Sequence, residues 1–496
     1  MAGSLSSLHG EQLHAHLPTA RRVLKRWTSA TSLLFFTFLL FGAFVYIIDN
    51  LFANFLITKR LENSFSLNYS GERETTTCNC NHYPTALETY ESSDAACPEY
   101  FRWIHDDLRP WKSTGITKDM VERAKEFASF RLIIIKGKAY VERYKKSFQT
   151  RDLFTIWGIL QLLRLYPGKL PDLDVMFWCG DKPKVLKHDH ATSPPALFQY
   201  CGRQDSLGII FPDWSFWGWG ELSIEPWKNM LARLIESNKK IKWKSRVPYA
   251  YWKGNPAVST NREELMMCNV SDKHEWNARL YSQNWFKEKM QGFKDSKLED
   301  QCTHRYKIYV EGRGWSVSNK YILSCDSMTL LIKPRYYDFY MRSMVPMQHY
   351  WPISSKNKCR DIKFAVEWGN SHPDKAQAIG KAGSRFIQEN LKMENIYAYM
   401  YHSLREYANL LKFKPEIPEG RAEICPELIA SQEGGLWRKF MLGSMVKSPS
   451  NTLPCTMPSP LDPSALKALF ERNENITTQV TMWEQEYWEN LPPDHH

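Results

Sequence analysis

The chain has 496 residues, 43% of them apolar and 14% aromatic, which excludes a disordered polymer and allows two or three domains with cores of their own. Its net charge of +11 points to an anionic partner: nucleic acid, a membrane face, an acidic glycan or a nucleotide. The N-terminus narrows that choice.

Residues 1–28 form a polar, basic tail, and "TSLLFFTFLLFGAFVYII" (Thr31–Ile48) then runs without a charge, just long enough to span a bilayer. Arg21, Arg22, Lys25 and Arg26 precede this run, Asp49 follows at once, and Lys59 and Arg60 stand further off. The positive-inside bias predicts a cytosolic N-terminus and a lumenal bulk. The alternative is a cleaved signal peptide, but the apolar run is long and no small-x-small cleavage site follows it. The pattern predicts a single-pass type II membrane protein: cytosolic tail 1–28, signal-anchor 29–49, and a Ser-, Thr-, Asn- and Glu-rich lumenal stem 50–95. All eleven cysteines lie beyond residue 77, where a lumen permits disulfides. Cys78 and Cys80 are too close to pair easily with each other; the odd count leaves at least one thiol over, and the connectivity stays open. Sequons at Asn68, Asn269 and Asn475 suit the same compartment. With a lumenal address, no nucleic-acid partner is expected.

Beyond residue 96 strands and helices alternate. "RLIIIKGKAYV" predicts a hairpin turning at Lys136–Gly137, and "RDLFTIWGILQLLRLYP" a helix stopped by Pro167. "LDVMFWCGD" and "LGIIFPDW" read as strands, and "EPWKNMLARLIESNKK" as an amphipathic helix with an acidic start and a basic end. Next come strand "VPYAYWKGN", short helix "NREELMMC", strand "YKIYV", helix "SVSNKYILSC" and strand "MTLLIK". Two long helical stretches follow, "DKAQAIGKAGSRFIQENL" and "IYAYMYHSLREYANLLKF". This alternation predicts an α/β protein with two parallel sheets, helices on both faces, and a cleft between them. The expected division is a first Rossmann-like domain at 96–240, a second at 241–400, a closing helix at 401–440, and an irregular Pro- and Ser-rich tail at 441–496.

Ligands of open parallel sheets bind beyond the carboxyl ends of the strands. One such end reads "VEGRGWSVSNK". There Gly312 and Gly314 allow close backbone approach, Arg313 offers a fork suited to phosphate, and Lys320 sits one turn into the next helix, whose N–H groups start around Ser316–Ser318. Trp315 looks exposed. The plain alternative is a tight turn with a surface arginine. A second end reads "MFWCGDKP", where Asp181 is either a general base at the cleft mouth or the opener of a turn before Pro183. "DLD" (Asp172–Asp174) has the form of a metal-binding DxD but stands at the wrong end of its strand. Trp214, Phe216, Trp217 and Trp219 in "FPDWSFWGWGE" are either core or a stacking surface for a sugar acceptor, and the interleaved glycines favour the surface.

"WKGNP" with Arg262, "YVEGRGWSVSNKYILSCDSMTL", "YWPI" and "GNSHPDKAQAIGKAGSRFI" together resemble glycosyltransferase family 90, which includes Rumi-type protein O-glucosyltransferases and capsule-associated xylosyltransferases. The resemblance covers about residues 76–415 and is closest to the plant branch. It implies a GT-B-like architecture, an inverting mechanism, and a UDP-glucose or UDP-xylose donor used without cofactor or bound metal. By the same resemblance Asp181 is the catalytic base, and the donor site comprises Lys253, Gly254, Asn255, Arg262, Gly312, Arg313, Gly314, Trp315, Ser316, Ser318 and Lys320. Trp214, Phe216, Trp217 and Trp219 are the candidate acceptor contacts, the acceptor being a protein or a glycan. Two Rumi-type arginines are replaced here by Pro256 and Ser318. That departure leaves open a catalytically silent glycan-binding protein of the same fold. The ending "PPDHH" is no KDEL-like retrieval signal, so a Golgi membrane is expected ahead of the ER.

Overall fold

The computed structural model describes residues 95–190 and 192–491, with isolated positions between Cys80 and Glu91. The apolar run Thr31–Ile48, most of the stem, Asn68 and Cys78 lie outside the described residues. Among the described residues no helix is long and apolar enough to cross a membrane.

Two five-stranded sheets organise the chain. The first has the order β2-β1-β3-β4-β5. Its hairpin joins β1 (Phe130–Ile135) to β2 (Lys138–Arg143) through Lys136 and Gly137, both at positive φ, as a two-residue turn between twisted strands requires. β1 also pairs antiparallel with β3 (Leu173–Phe177), while β4 (Leu197–Gln199) and β5 (Ile209–Ile210) continue in parallel. This sheet is therefore mixed, not parallel as expected, because the predicted hairpin sits inside it. The helix Arg151–Leu165 is apolar nearly all round and buried on most faces. A Cβ at Gly158 would lie 2.5 Å from the Trp217 ring, so the helix can press against that indole only where the side chain is missing.

The second sheet is wholly parallel: β6 (Val247–Gly254), β7 (Ala278–Ser282), β8 (His304–Tyr309), β9 (Met328–Ile332) and β10 (Trp351–Ile353), in the order β10-β9-β8-β6-β7. From β6 the chain goes to one side for β7, then crosses back to β8. The loops leaving β6 and β8 consequently diverge, and a crevice opens between them. After the helices Lys358–Ser371 and Pro373–Asn390, the helix Met393–Leu410 returns to the first sheet. There it buries Tyr399, Leu404 and Tyr407, and the Tyr407 hydroxyl donates to the Asp174 carbonyl (2.9 Å).

The C-terminal segment has no helix or strand from Met445 to Asp462, as expected, but it is tied down there and is helical beyond. Glu91 exchanges backbone hydrogen bonds with Asn451 and Leu453, and Thr456 bonds both Ala95 and Cys97, so the end of the stem is tied to the returning chain. A 27-residue helix, Pro463–Glu489, follows; it is capped by Asp462 and seated by buried Val480 and Trp488. Disulfides Cys80–Cys425 and Cys97–Cys455 staple this return, and Cys268–Cys359 and Cys302–Cys325 brace the second sheet. Cys179 and Cys201 are free thiols, both buried.

Candidate active site

The diverging loops after β6 and β8 build one wall of a cleft. β8 runs on to Glu311, a buried carboxylate that stitches the carboxyl ends together. It accepts from Asn261 Nδ2 (3.1 Å), Arg335 Nε (3.0 Å), and the backbone N–H groups of Arg335 (2.8 Å) and Tyr336 (3.3 Å). Arg262 lies beneath. It donates to the carbonyls of Glu311 (3.2 Å) and Asn255 (3.3 Å) and to Ser316 Oγ (3.1 Å), and burial lowers its pKa to about 10. Arg262 thus joins both loops, rather than reaching freely toward a ligand. Arg313 is exposed above it, with no hydrogen-bond or ion-pair partner among the described residues.

The other wall comes from the first sheet. Beyond β3 the chain reaches Gly180, where a Cβ would fall 2.0 Å from the Trp178 ring. Asp181 follows at once. Arg151 donates to Asp181 Oδ1 (2.9 Å) and to the Cys179 carbonyl (3.3 Å), while its guanidinium stacks 4.4 Å from the Trp214 ring centre. The Asp181 side chain stays 40% exposed. The walls meet at Gly314: a Cβ there would lie 1.7 Å from the Asp181 carbonyl oxygen and 2.7 Å from its carbon. Only glycine permits this approach, so the Gly-Arg-Gly loop is packed directly onto the backbone of the candidate base.

Between the walls lies a cleft of about 500 Å³, whose lining includes Lys182, Asn261, Gly312, Arg313, Lys333 and Arg335. It occupies the carboxyl ends of β6, β8 and β9, as expected for an open α/β sheet. Arg335 is paired with Glu311 and the lining carboxylate Glu264 with Lys358, so Lys182, Arg313 and Lys333 make it a site for an anion.

Several expected site residues lie elsewhere. Lys320 is buried, donating to Ser215 Oγ (2.7 Å) and standing 3.4 Å from Asp213 Oδ2, so it clamps two core segments and does not reach the cleft. Its helix, Asn319–Leu323, has five residues and is itself buried, so it offers no anion site at its N-terminus. Trp315 is buried against Tyr200 and Trp214. Trp214, Phe216 and Trp217 are 1%, 1% and 0% exposed, and Trp219 is half-buried with its N–H on Gln149, so this cluster is core and not an acceptor platform. The Lys253 ammonium bonds the Asp295 carbonyl, and Asn255 caps the turn at Pro256–Val258. Gly254 packs over the Trp252 ring, and the hydroxyls of Ser316 and Ser318 bond each other (2.8 Å). In "DLD", Asp174 is buried in a two-pronged pair with Arg131 (2.7 and 2.5 Å), and Asp172 accepts from the Lys136 N–H (2.7 Å). Asn269 Oδ1 accepts from the Leu280 N–H (2.8 Å); Asn475 is exposed on the C-terminal helix. Cys97, His402 and Cys455 have ligating atoms within 4.8 Å of one another, but the two sulfurs are joined in a disulfide.

Arg151, Lys182, Glu311, Lys333 and Arg335 are the additions. Lys333 and Arg335 directly follow a strand, and the carboxyl-end rule reaches them. No local signal marks Arg151, which meets Asp181 across 30 residues of sequence.

Comparison with known proteins gives a consistent answer. The profile of glycosyl transferase family 90 matches residues 92–484, extending into the C-terminal helix. The chain is 26% identical over 358 residues to protein O-glucosyltransferase 1 of Bos taurus, covering 69% of this chain and 88% of that protein. It is 25% identical over 361 residues to protein O-glucosyltransferase 1 of Homo sapiens, covering 70% and 89%. With O-glucosyltransferase rumi of Drosophila melanogaster the identity is 24% over 375 residues, covering 72% and 87%.

Proposed function

Since the chain belongs to glycosyl transferase family 90, a family of UDP-sugar-dependent enzymes, we propose that it moves glucose or xylose from UDP to an acceptor hydroxyl, with inversion and without a metal. One observation carries this reading: the close approach of Gly314 to the Asp181 backbone, which sets a candidate base against the loop of Arg313, beside a cleft lined by Lys182, Arg313 and Lys333. Asp181, held at Oδ1 by Arg151, takes the proton of the acceptor hydroxyl as that oxygen attacks the anomeric carbon from the face opposite UDP. The departing diphosphate gains negative charge, and Arg313 and Lys333 on the other wall are there to meet it. These side chains supply the charge that a divalent ion supplies elsewhere, while both carboxylates of "DLD" are engaged with Arg131 and Lys136. In this reading the sheets are the halves of a GT-B-like enzyme, the base in 96–240 and the donor site in 241–400.

Arg313→Ala is expected to cost roughly 2–4 kcal/mol of transition-state stabilisation, the scale of one preorganised donor. Arg313→Lys should recover only part, because an ammonium lacks the bidentate fork. A chelator should leave the wild-type rate unchanged. Steady-state rates with EDTA decide the matter: loss of transfer that Mn²⁺ restores, together with a silent Arg313→Ala, would put the diphosphate elsewhere.

The same proposal places the protein in the Golgi or ER membrane, anchored by Thr31–Ile48 with its catalytic part in the lumen. Protease added to sealed microsomes should then remove only the first ~28 residues. Digestion of the body instead would reverse the orientation.

A further inference from the structure

Resting on the donor reading above, the charges around the cleft point to the acceptor. The carboxylate that lines the cleft and the two beside it each have their own cation: Glu264 has Lys358, Asp181 has Arg151 (2.9 Å), and Glu311 has Arg335 (3.0 Å). Lys182, Arg313 and Lys333 remain, exposed and without a carboxylate partner among the described residues. Arg262, whose hydrogen bonds go only to carbonyls and a hydroxyl, adds positive charge beneath the Gly312 turn. A sugar diphosphate brings about two negative charges and the departing UDP about three, so Lys182, Arg313, Lys333 and Arg262 together leave about one positive charge beyond what the donor needs.

The surplus has a location. Arg313 and Lys333 follow β8 and β9 on the donor wall, whereas Lys182 adjoins Asp181 on the base wall, where the acceptor hydroxyl must come. We infer that the acceptor is a protein segment with an acidic side chain beside its reactive hydroxyl, and that Lys182 meets that carboxylate. A polypeptide is favoured over an acidic glycan because Trp214, Phe216 and Trp217, which could have stacked on sugar rings, are sealed in the core. An opposite charge at that point selects among acceptors more than it tightens all of them.

The test uses the UDP-saturated full-length protein and two labelled peptides, identical except for glutamates or glutamines on both sides of a single serine. Fluorescence anisotropy should show the glutamate peptide binding about five-fold more tightly or better, the scale of one ion pair of roughly 1 kcal/mol, with the preference shrinking in high salt. Lys182→Glu should abolish or reverse the preference. Lys467→Glu, the same charge change on the C-terminal helix and outside the cleft lining, should keep it, which separates a placed lysine from the general pull of a basic protein. A wild-type preference below about two-fold, an unchanged preference in Lys182→Glu, or no binding of either peptide would overturn the inference. Tighter binding of a uronate oligosaccharide than of the glutamate peptide would overturn the choice of a polypeptide. UDP binding is measured first: if UDP binds and acceptor charge is immaterial, the donor reading stands alone, whereas failure of UDP to bind removes that reading instead.

Discussion

Asp181→Asn is expected to lower turnover by about 100-fold or more, the scale of losing a positioned general base. Asparagine keeps the size and can still accept the Arg151 hydrogen bond through its amide oxygen, so the strand end and the stacked guanidinium should stay in place. Only the proton affinity is removed. The cations assigned to the diphosphate sit on the other wall, after β8 and β9, so donor affinity should change little. The expected signature is a low kcat beside a nearly unchanged KM for the donor and an unaltered melting temperature. Wild-type turnover would show that some other group, or none, takes the proton.

Gly314→Ala should be nearly as damaging, for a mechanical reason. The new methyl would lie 1.7 Å from the Asp181 carbonyl oxygen, and both partners are backbone, so no side chain can swing aside. One of the loops must shift by an ångström or more, carrying the base and the cations apart. Misplacement of about 1 Å can cost on the order of 100-fold in rate. Overpacking should also remove about 1–3 kcal/mol of stability. Gly312→Ala is the internal comparison: its methyl would meet nothing closer than the Trp315 carbonyl at 3.4 Å, an ordinary contact, so the fold should accept it. Parallel measurement of kcat and melting temperature in the two variants tests this. Full turnover in Gly314→Ala would mean that the contact between loop and base does not set the catalytic geometry.

Periodicity and turn chemistry made the elements legible. The Lys136–Gly137 turn, the helix ended near Pro167 and the strand "VPYAYWKGN" are local patterns, and the structure has them where they were expected. The carboxyl-end rule carried that legibility as far as Asp181 and the Gly-Arg-Gly loop. What it could not supply was which side chains the rest of the fold already uses. Lys320 reads as a helix-surface cation until Ser215 and Asp213, more than a hundred residues away, take its ammonium into the core. The glycines in "WSFWGWG" suggest an exposed loop. They instead make room for Phe440 and Trp437 of the helix Gly435–Ser444, which lie where a Cβ at Gly218 and Gly220 would stand, while Trp214, Phe216 and Trp217 are buried. The C-terminal helix was hidden by the Pro- and Ser-rich stretch before it, although Asp462-Pro463 is a good start signal: Asp462 accepts from the Ala465 N–H at 2.9 Å.

Arg313, standing between its two glycines, is the side chain proposed to hold the diphosphate of the donor. Thermal unfolding with UDP, in wild type and in Arg313→Ala, tests that role without knowledge of the acceptor. A ligand at 100 times its dissociation constant stabilises by about 2.7 kcal/mol, which a melting curve resolves easily. A clear upward shift is expected for wild type with UDP, and a shift at the same UDP concentration that largely disappears in Arg313→Ala. Equal stabilisation of the two proteins by UDP would contradict that role.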